Sequence, residues 1–228
     1  MRVCAAPPFA PDAPRANDAR WRPHDLLRLA RLTAVEDEPV WVRAAFARAP
    51  FAVVRRAQAA SGFVAAGIRG TARAERFGTW INDQDIESSM SPESLAAAVP
   101  SPGRVSLAAF VALASLRETP SLLHDFIWGP TGSAGFELAT QVPTLTGSSD
   151  LDVLIRMPQR SDAATVHALA ATLARAAQRA GTRVDAQVET PAGGVALAEL
   201  AQLAQGKAHV LARASDGARL VADPWQTS

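Results

Sequence analysis

Cysteine and lysine are almost missing from this chain. One cysteine, Cys4, stands among 228 residues, which excludes an internal disulfide framework and a thiolate zinc cage. Lysine occurs once, at Lys207. The GxxxxGK[ST] phosphate loop and its lysine are absent, and the glycines at 129, 132 and 135 do not make a dinucleotide-binding fingerprint. No apolar run reaches the roughly 18 residues that a membrane helix needs. The opening MRVCAAPPFAPDAPRANDAR is interrupted by four prolines and has no continuous apolar core, so a secretory signal is not expected and the protein reads as cytoplasmic.

What remains is ordinary globular material, 48% hydrophobic and 20% charged, long enough for one large domain or two small ones. The net charge of +1 does not suit a general nucleic-acid binder. Arginine supplies 22 of the 23 basic residues, a bias that a GC-rich genome explains. Its distribution is more informative. Seven arginines face one acid, Glu75, between Pro39 and Arg76, whereas the last hundred residues lean acidic. An anionic ligand would suit such a chain.

Residues 1–20 are expected to be a flexible leader, residues 21–120 an N-terminal α+β domain, and residues 121–228 a catalytic domain. PHDLLRLARL reads as a short amphipathic helix with Leu26, Leu27 and Leu29 on one side, followed by a second helix over Val40–Ala49. Phe51–Ala57 and Phe63–Arg69 read as strands of a hairpin around Ser61-Gly62. Leu107–Leu116 reads as a helix closed by Thr119-Pro120. The second half alternates. Short strand Asp125–Gly129, helix Ser133–Thr140 and apolar strand Leu151–Arg156 lead to a long helix, Ala163–Ala180, flanked by Asp162 and Gly181. Strand Arg183–Glu189, helix Val195–Gln205 and a hairpin across Asp216-Gly217 complete the chain.

Asp150 and Asp152 carry the chemistry. With Leu151 between them they project from one strand face while Leu151 and Val153 enter the core. Adjacent carboxylates repel unless a cation lies between them, and hard oxygen ligands suit Mg²⁺ or Mn²⁺, which also bind phosphate oxygens. Asp185 is the expected third carboxylate and proton acceptor, with Glu189 its competitor. Gly132-Ser133, between a strand and a helix, allows close backbone approach, a hydroxyl and a helix N-terminus for a phosphate. Arg55, Arg69 and Arg73 are candidate contacts to further phosphates. His24 and His124 read as surface or capping residues.

The order Gly132-Ser133, Asp150-Leu-Asp152 and an acid-bearing strand at Asp185 resembles the nucleotidyltransferase superfamily of the DNA polymerase β type. Sixteen residues separate Ser133 from Asp150, more than is usual there. Over a longer span, PHDLLRL, PFAVVRRA, VAAGIRG, WGPTGSAGFELAT, SDLDVLIR and VDAQVETPAGGVALAEL resemble the malonate decarboxylase holo-acyl-carrier-protein synthases, also called phosphoribosyl-dephospho-CoA transferases. The resemblance implies an N-terminal α+β region followed by a nucleotidyltransferase-like mixed-sheet domain. It also implies a reaction: transfer of the 2′-(5″-phosphoribosyl)-3′-dephospho-CoA group from its triphosphate precursor to a serine of the acyl-carrier subunit of malonate decarboxylase, with loss of diphosphate. Asp150 and Asp152 match the family's paired acids, expected to hold Mg²⁺. The competing readings are an adenylyltransferase acting on another protein or small molecule, and a non-catalytic nucleotide- or partner-binding module. Neither a nucleic acid nor a membrane is an expected partner.

Overall fold

The structure, a computed structural model, describes residues 3–16, 18–72, 74–118 and 121–226. It is an α+β protein that divides into two compact units, Met1–Ser91 and Pro92–Ser228. No helix among the described residues is long and apolar enough to cross a membrane.

In the first unit, β1 (Val3–Cys4), β2 (Arg15–Ala16), β3 (Leu26–Leu29), α1 (Trp41–Arg48), β4 (Phe51–Val54), β5 (Ala59–Ala60), β6 (Phe63–Arg69), β7 (Arg76–Asn82) and β8 (Ile86–Met90) follow in order. Six of the strands form one sheet in the order β1-β7-β6-β4-β3-β8, and β2 pairs with β5. Leu27, Leu29, Val42, Val54, Val64, Ile68, Phe77 and Ile81 fill its core.

Two expectations change here. PHDLLRLARL is not a helix: Leu26–Leu29 is a strand between β4 and β8. Four residues cannot display a helical period, and pairing on both sides decides their conformation. The leader is also not loose. Val3 and Cys4 pair in parallel with Phe77 and Gly78, and Phe9 packs on Phe63 and Trp80 at ring-centroid distances of 5.6 and 5.0 Å. The expected hairpin pairing of β4 with β6 is present, although the Ser61-Gly62 turn leads into β6 from β5.

The second unit holds α2 (Ala108–Arg117), β9 (Ile127–Pro130), α3 (Gly132–Thr140), β10 (Leu151–Arg156), α4 (Ala163–Ala180), β11 (Val184–Thr190), β12 (Gly193–Ala196), α5 (Leu197–Ala204), β13 (Val210–Ala214) and β14 (Gly217–Val221). Its strands form one sheet in chain order, β14-β13-β12-β11-β10-β9. Only β10 and β11 are parallel, because α4 intervenes and returns the chain to the same end. Asp162 caps α4 by accepting a hydrogen bond from the Thr165 amide at 2.7 Å, and Gly181 ends it in the left-handed region. The Val195–Gln205 helix begins later than expected, since Val195 and Ala196 pair with β11 as strand.

The boundary falls at Ser91/Pro92, not near residue 120. Helix α2 packs on α4 and β10, and its buried Phe110, Leu113 and Leu116 belong to the second core. Thr119 and Pro120, expected to close it, lie outside the described residues.

Candidate active site

The parallel register places Asp152 beside Asp185 and Leu151 beside Val184. One residue earlier, the Leu151 amide donates to the Arg183 carbonyl at 2.9 Å, so Asp150 adjoins Arg183. Alternate residues share a strand face. One face therefore carries two rows, Asp150 with Arg183 and Asp152 with Asp185, while Leu151 is fully buried on the other.

Arg183 ties the rows together. Its Nη2 donates to Asp150 Oδ2 at 2.6 Å, and its Nε lies 2.8 Å from Asp185 Oδ2. The hydrogen bond to Asp150, then the charges of Asp185 and Asp150, hold the guanidinium above its ordinary pKa. All three carboxylates act on this one guanidinium.

The third wall of this patch is the entry to α3. The Thr131 amide donates to the Asp152 carbonyl at 2.8 Å, and Gly132 follows with φ +58°. A methyl group on Gly132 would overlap the Asp152 carboxylate, so glycine is needed here for conformation and for space. Ser133 is half-buried in the first turn of α3, where exposed amide dipoles favour negative charge.

Glu137, which sequence reasoning did not select, secures the sixteen residues between Ser133 and Asp150. Its carboxylate is 4% exposed. It accepts Arg104 Nε at 2.6 Å and Nη2 at 2.9 Å, and the Thr144 and Leu145 amides at 2.6 and 2.8 Å. Arg104 also donates to the Leu145 carbonyl at 2.7 Å. Burial pushes the Glu137 carboxyl up, but the Arg104 guanidinium and the two amides outweigh it and hold the group below its usual range. The long segment is thereby pinned at its middle, and Thr182 Oγ1 donates to the Ser149 carbonyl at 3.0 Å near its end.

Gly132, Ser133, Asp150, Asp152 and Asp185 all belong to the second unit. Glu189 lies four residues beyond Asp185 on β11, about 13 Å along a strand, beside Arg156, and accepts from Gln187 at 3.0 Å. Arg55 and Arg69 belong to the first unit. Arg55 Nη1 donates to Cys4 Sγ at 3.1 Å, and its guanidinium lies 5.8 Å from the Trp80 ring centroid. Arg69 stands opposite Arg76 across β6 and β7. Arg73 lies outside the described residues. Among the described residues, no group of three or more His, Cys, Asp and Glu side chains is placed to hold a metal ion. Carboxylate oxygens are nevertheless the donor type that suits a hard divalent cation.

Comparison with known proteins decides the family. Residues 22–92 match the model for the phosphoribosyl-dephospho-CoA transferase MdcG N-terminal domain, and residues 94–224 that for the C-terminal domain. The chain belongs to the phosphoribosyl-dephospho-CoA transferase family. The two matched segments meet where the two structural units do. A phosphoribosyl-dephospho-CoA transferase of Pseudomonas putida (strain W619) is 42% identical over 205 residues, covering 90% of this chain and 95% of that protein. A Pseudomonas aeruginosa relative of the same name is 41% identical, covering 90% and 93%, and one from Klebsiella pneumoniae (strain 342) is 40% identical, covering 90% and 96%. No solved structure matches the chain. As a member of this family the chain is a transferase, and its carboxylate patch lies within the family's C-terminal domain.

Arg183 could have been noticed in the sequence. Arg183-Val-Asp185 repeats the spacing of Asp150-Leu-Asp152, and parallel strands carrying the two tripeptides at one level bring them together. Glu137 gave no such signal, because its partner Arg104 lies 33 residues away.

Proposed function

We propose that this transferase moves the 2′-(5″-phosphoribosyl)-3′-dephospho-CoA group from its triphosphate precursor to a serine of the malonate decarboxylase acyl-carrier subunit, releasing diphosphate. The observation that carries this reading is the row of carboxylates facing the entry of α3, with Asp152 seated against Gly132. A polyphosphate needs such an arrangement: acids for a cation on one side, backbone amides for phosphate oxygens on the other. The sheet that sets Gly132-Ser133 ahead of the Asp-X-Asp strand also supports a nucleotidyltransferase-type domain.

Asp150 and Asp152 would hold Mg²⁺, with Mn²⁺ a substitute, and Asp185 would be the third acid. When bound, the ion neutralises phosphate charge and orients the phosphorus under attack. Gly132 and Ser133 hold the diphosphate end. The serine oxygen of the carrier forms a bond to the phosphorus nearest the ribose. The bond from that phosphorus to the bridging oxygen breaks, and diphosphate leaves with the electron pair. Asp185, beside Asp152 in register, takes the serine proton. Glu189 is too far along β11 for that task. Arg69 and Arg55 lie in the first unit, where Arg69 stands opposite Arg76 and Arg55 donates to Cys4, and neither is assigned to this site.

The test is intact mass spectrometry of the apo acyl-carrier subunit incubated with the protein, the triphosphate precursor and Mg²⁺. A mass gain equal to the whole prosthetic group, absent with D152A, is the expected result. Modification by ATP instead would favour an adenylyltransferase. No transfer, together with retained tight binding of the precursor, would favour a binding module.

A further inference from the structure

Arg183 contacts both rows of the carboxylate patch. Its guanidinium reaches Asp150 with Nη2 and Asp185 with Nε, and Asp152 lies on the same face next to Asp185. Both contacts use oxygens of acids that the proposed reaction needs for other work. While Asp150 Oδ2 accepts the 2.6 Å guanidinium bond, that lone pair is closed to a divalent ion. Asp185 Oδ2 is likewise covered by Arg183 Nε.

We infer that Arg183 is an exchangeable counter-cation of this patch: it stabilises the three carboxylates before the divalent ion arrives and is displaced from Asp150 when the ion binds. The inference rests on the divalent-ion reading of Asp150 and Asp152 given above. Three observations make the exchange physically reasonable. The Arg183 side chain is 65% exposed, so it can swing into water without leaving a buried charge unpaired. Exposed ion pairs are weak and readily broken. The backbone beneath it does not depend on the side chain, because the Arg183 carbonyl is already fixed by the Leu151 amide. An additional fixed cation opposes that ion, so Arg183 lowers the affinity of the patch for it.

The same geometry separates the roles of the two contacts. Losing the Asp150 contact frees a ligand oxygen. Keeping or losing the Asp185 contact sets whether its Oδ2 is covered when the serine arrives. Arg183 is thus a positioning residue, acting through Asp150 and Asp185 and not on the reacting atoms.

The test is direct Mn²⁺ binding, followed by the loss of the free-ion electron paramagnetic resonance signal, for the wild-type protein, R183Q, R183K and D152N. R183Q is expected to bind Mn²⁺ roughly five- to tenfold more tightly than wild type, since one opposing charge is gone. R183K keeps the charge and is expected to bind within about twofold of wild type. Melting curves without divalent ion should place R183Q slightly below wild type, and Mn²⁺ should reverse that order. Equal affinity in wild type and R183Q, with D152N losing binding, would overturn the role of Arg183 and leave the metal site standing. Equal tightening in R183Q and R183K would overturn the charge argument. Absence of binding in both wild type and R183Q would remove the metal site and this inference with it.

Discussion

The two six-stranded sheets treat their carboxylates differently. In the first unit several acids are matched with an arginine. Asp85, 5% exposed, takes Arg31 at 2.6 Å, Glu87 takes Arg28 at 2.9 Å, and Glu38 takes Arg43 through two bonds. In the second unit Asp150, Asp152 and Asp185 gather around Arg183. Of the first-unit pairs, Arg28–Glu87 joins antiparallel β3 and β8, while Arg31–Asp85 and Arg43–Glu38 are made by loop, turn and helix residues. The parallel β10–β11 pair, separated by an 18-residue helix, sets two similar tripeptides level with each other and so stacks acid beside acid. Local neutrality is what a scaffold needs. A surplus of one sign, held in place by backbone register, marks a site meant for a ligand of the other sign.

The contrast is broken most severely at Asp152. D152N should lower transfer by about a thousandfold or more while leaving the thermal transition near that of wild type; loss of folding in this variant would mean that the acid belongs to the scaffold. G132A comes next. The added methyl collides with the Asp152 carboxylate and φ +58° is unfavourable for alanine. Transfer should fall by about a hundredfold, with a loss of roughly 1–2 kcal/mol in denaturant unfolding.

Third is Glu137, a buried acid matched with Arg104. Replacing a partner in such a pair costs about 3 kcal/mol, so E137Q should unfold at markedly lower denaturant and lose about tenfold in transfer. The pH signature gives the sign. A carboxyl held below its ordinary value of 4.5 contributes fully above that value and loses its contribution as pH falls through its lower folded-state value. The stability gap between wild type and E137Q should therefore be constant from pH 7 to about 5 and narrow below 4.5; a gap unchanged at pH 3 would refute the ion-pair account. The smallest effect belongs to the first unit. R55A should lower the melting temperature by a few degrees and leave KM for the precursor within about twofold. A tenfold rise in KM would return Arg55 to the substrate site and blur the distinction between the sheets.

Much of this was legible in the sequence, for reasons that can be named. Leu151–Arg156 has an apolar run bounded by turn residues, and Ala163–Ala180 has both a capping aspartate and a terminating glycine; both elements occupy the expected residues. The paired acids and the glycine before α3 were legible because their meaning is local. The strand Leu26–Leu29 was misread because LLRL fits either period. RFGTWIN, which forms β7, went unread because a strand paired on both sides has no reason to alternate. The pairings of Arg183 with Asp150, and of Arg104 with Glu137, join residues 33 apart in the chain. A repeated tripeptide spacing hints at the first; only the fold connects the second.

The edge strand at the start of the chain has a practical consequence. Cys4 is the sole thiol in the sequence and is exposed, and its sulfur accepts a hydrogen bond from Arg55 while its backbone pairs with Gly78. A maleimide fluorophore would thus attach once per molecule, at a defined place on the rim of the first sheet. Once attached, its fluorescence would follow the peeling of β1 from β7, an optical record of how firmly that margin is held.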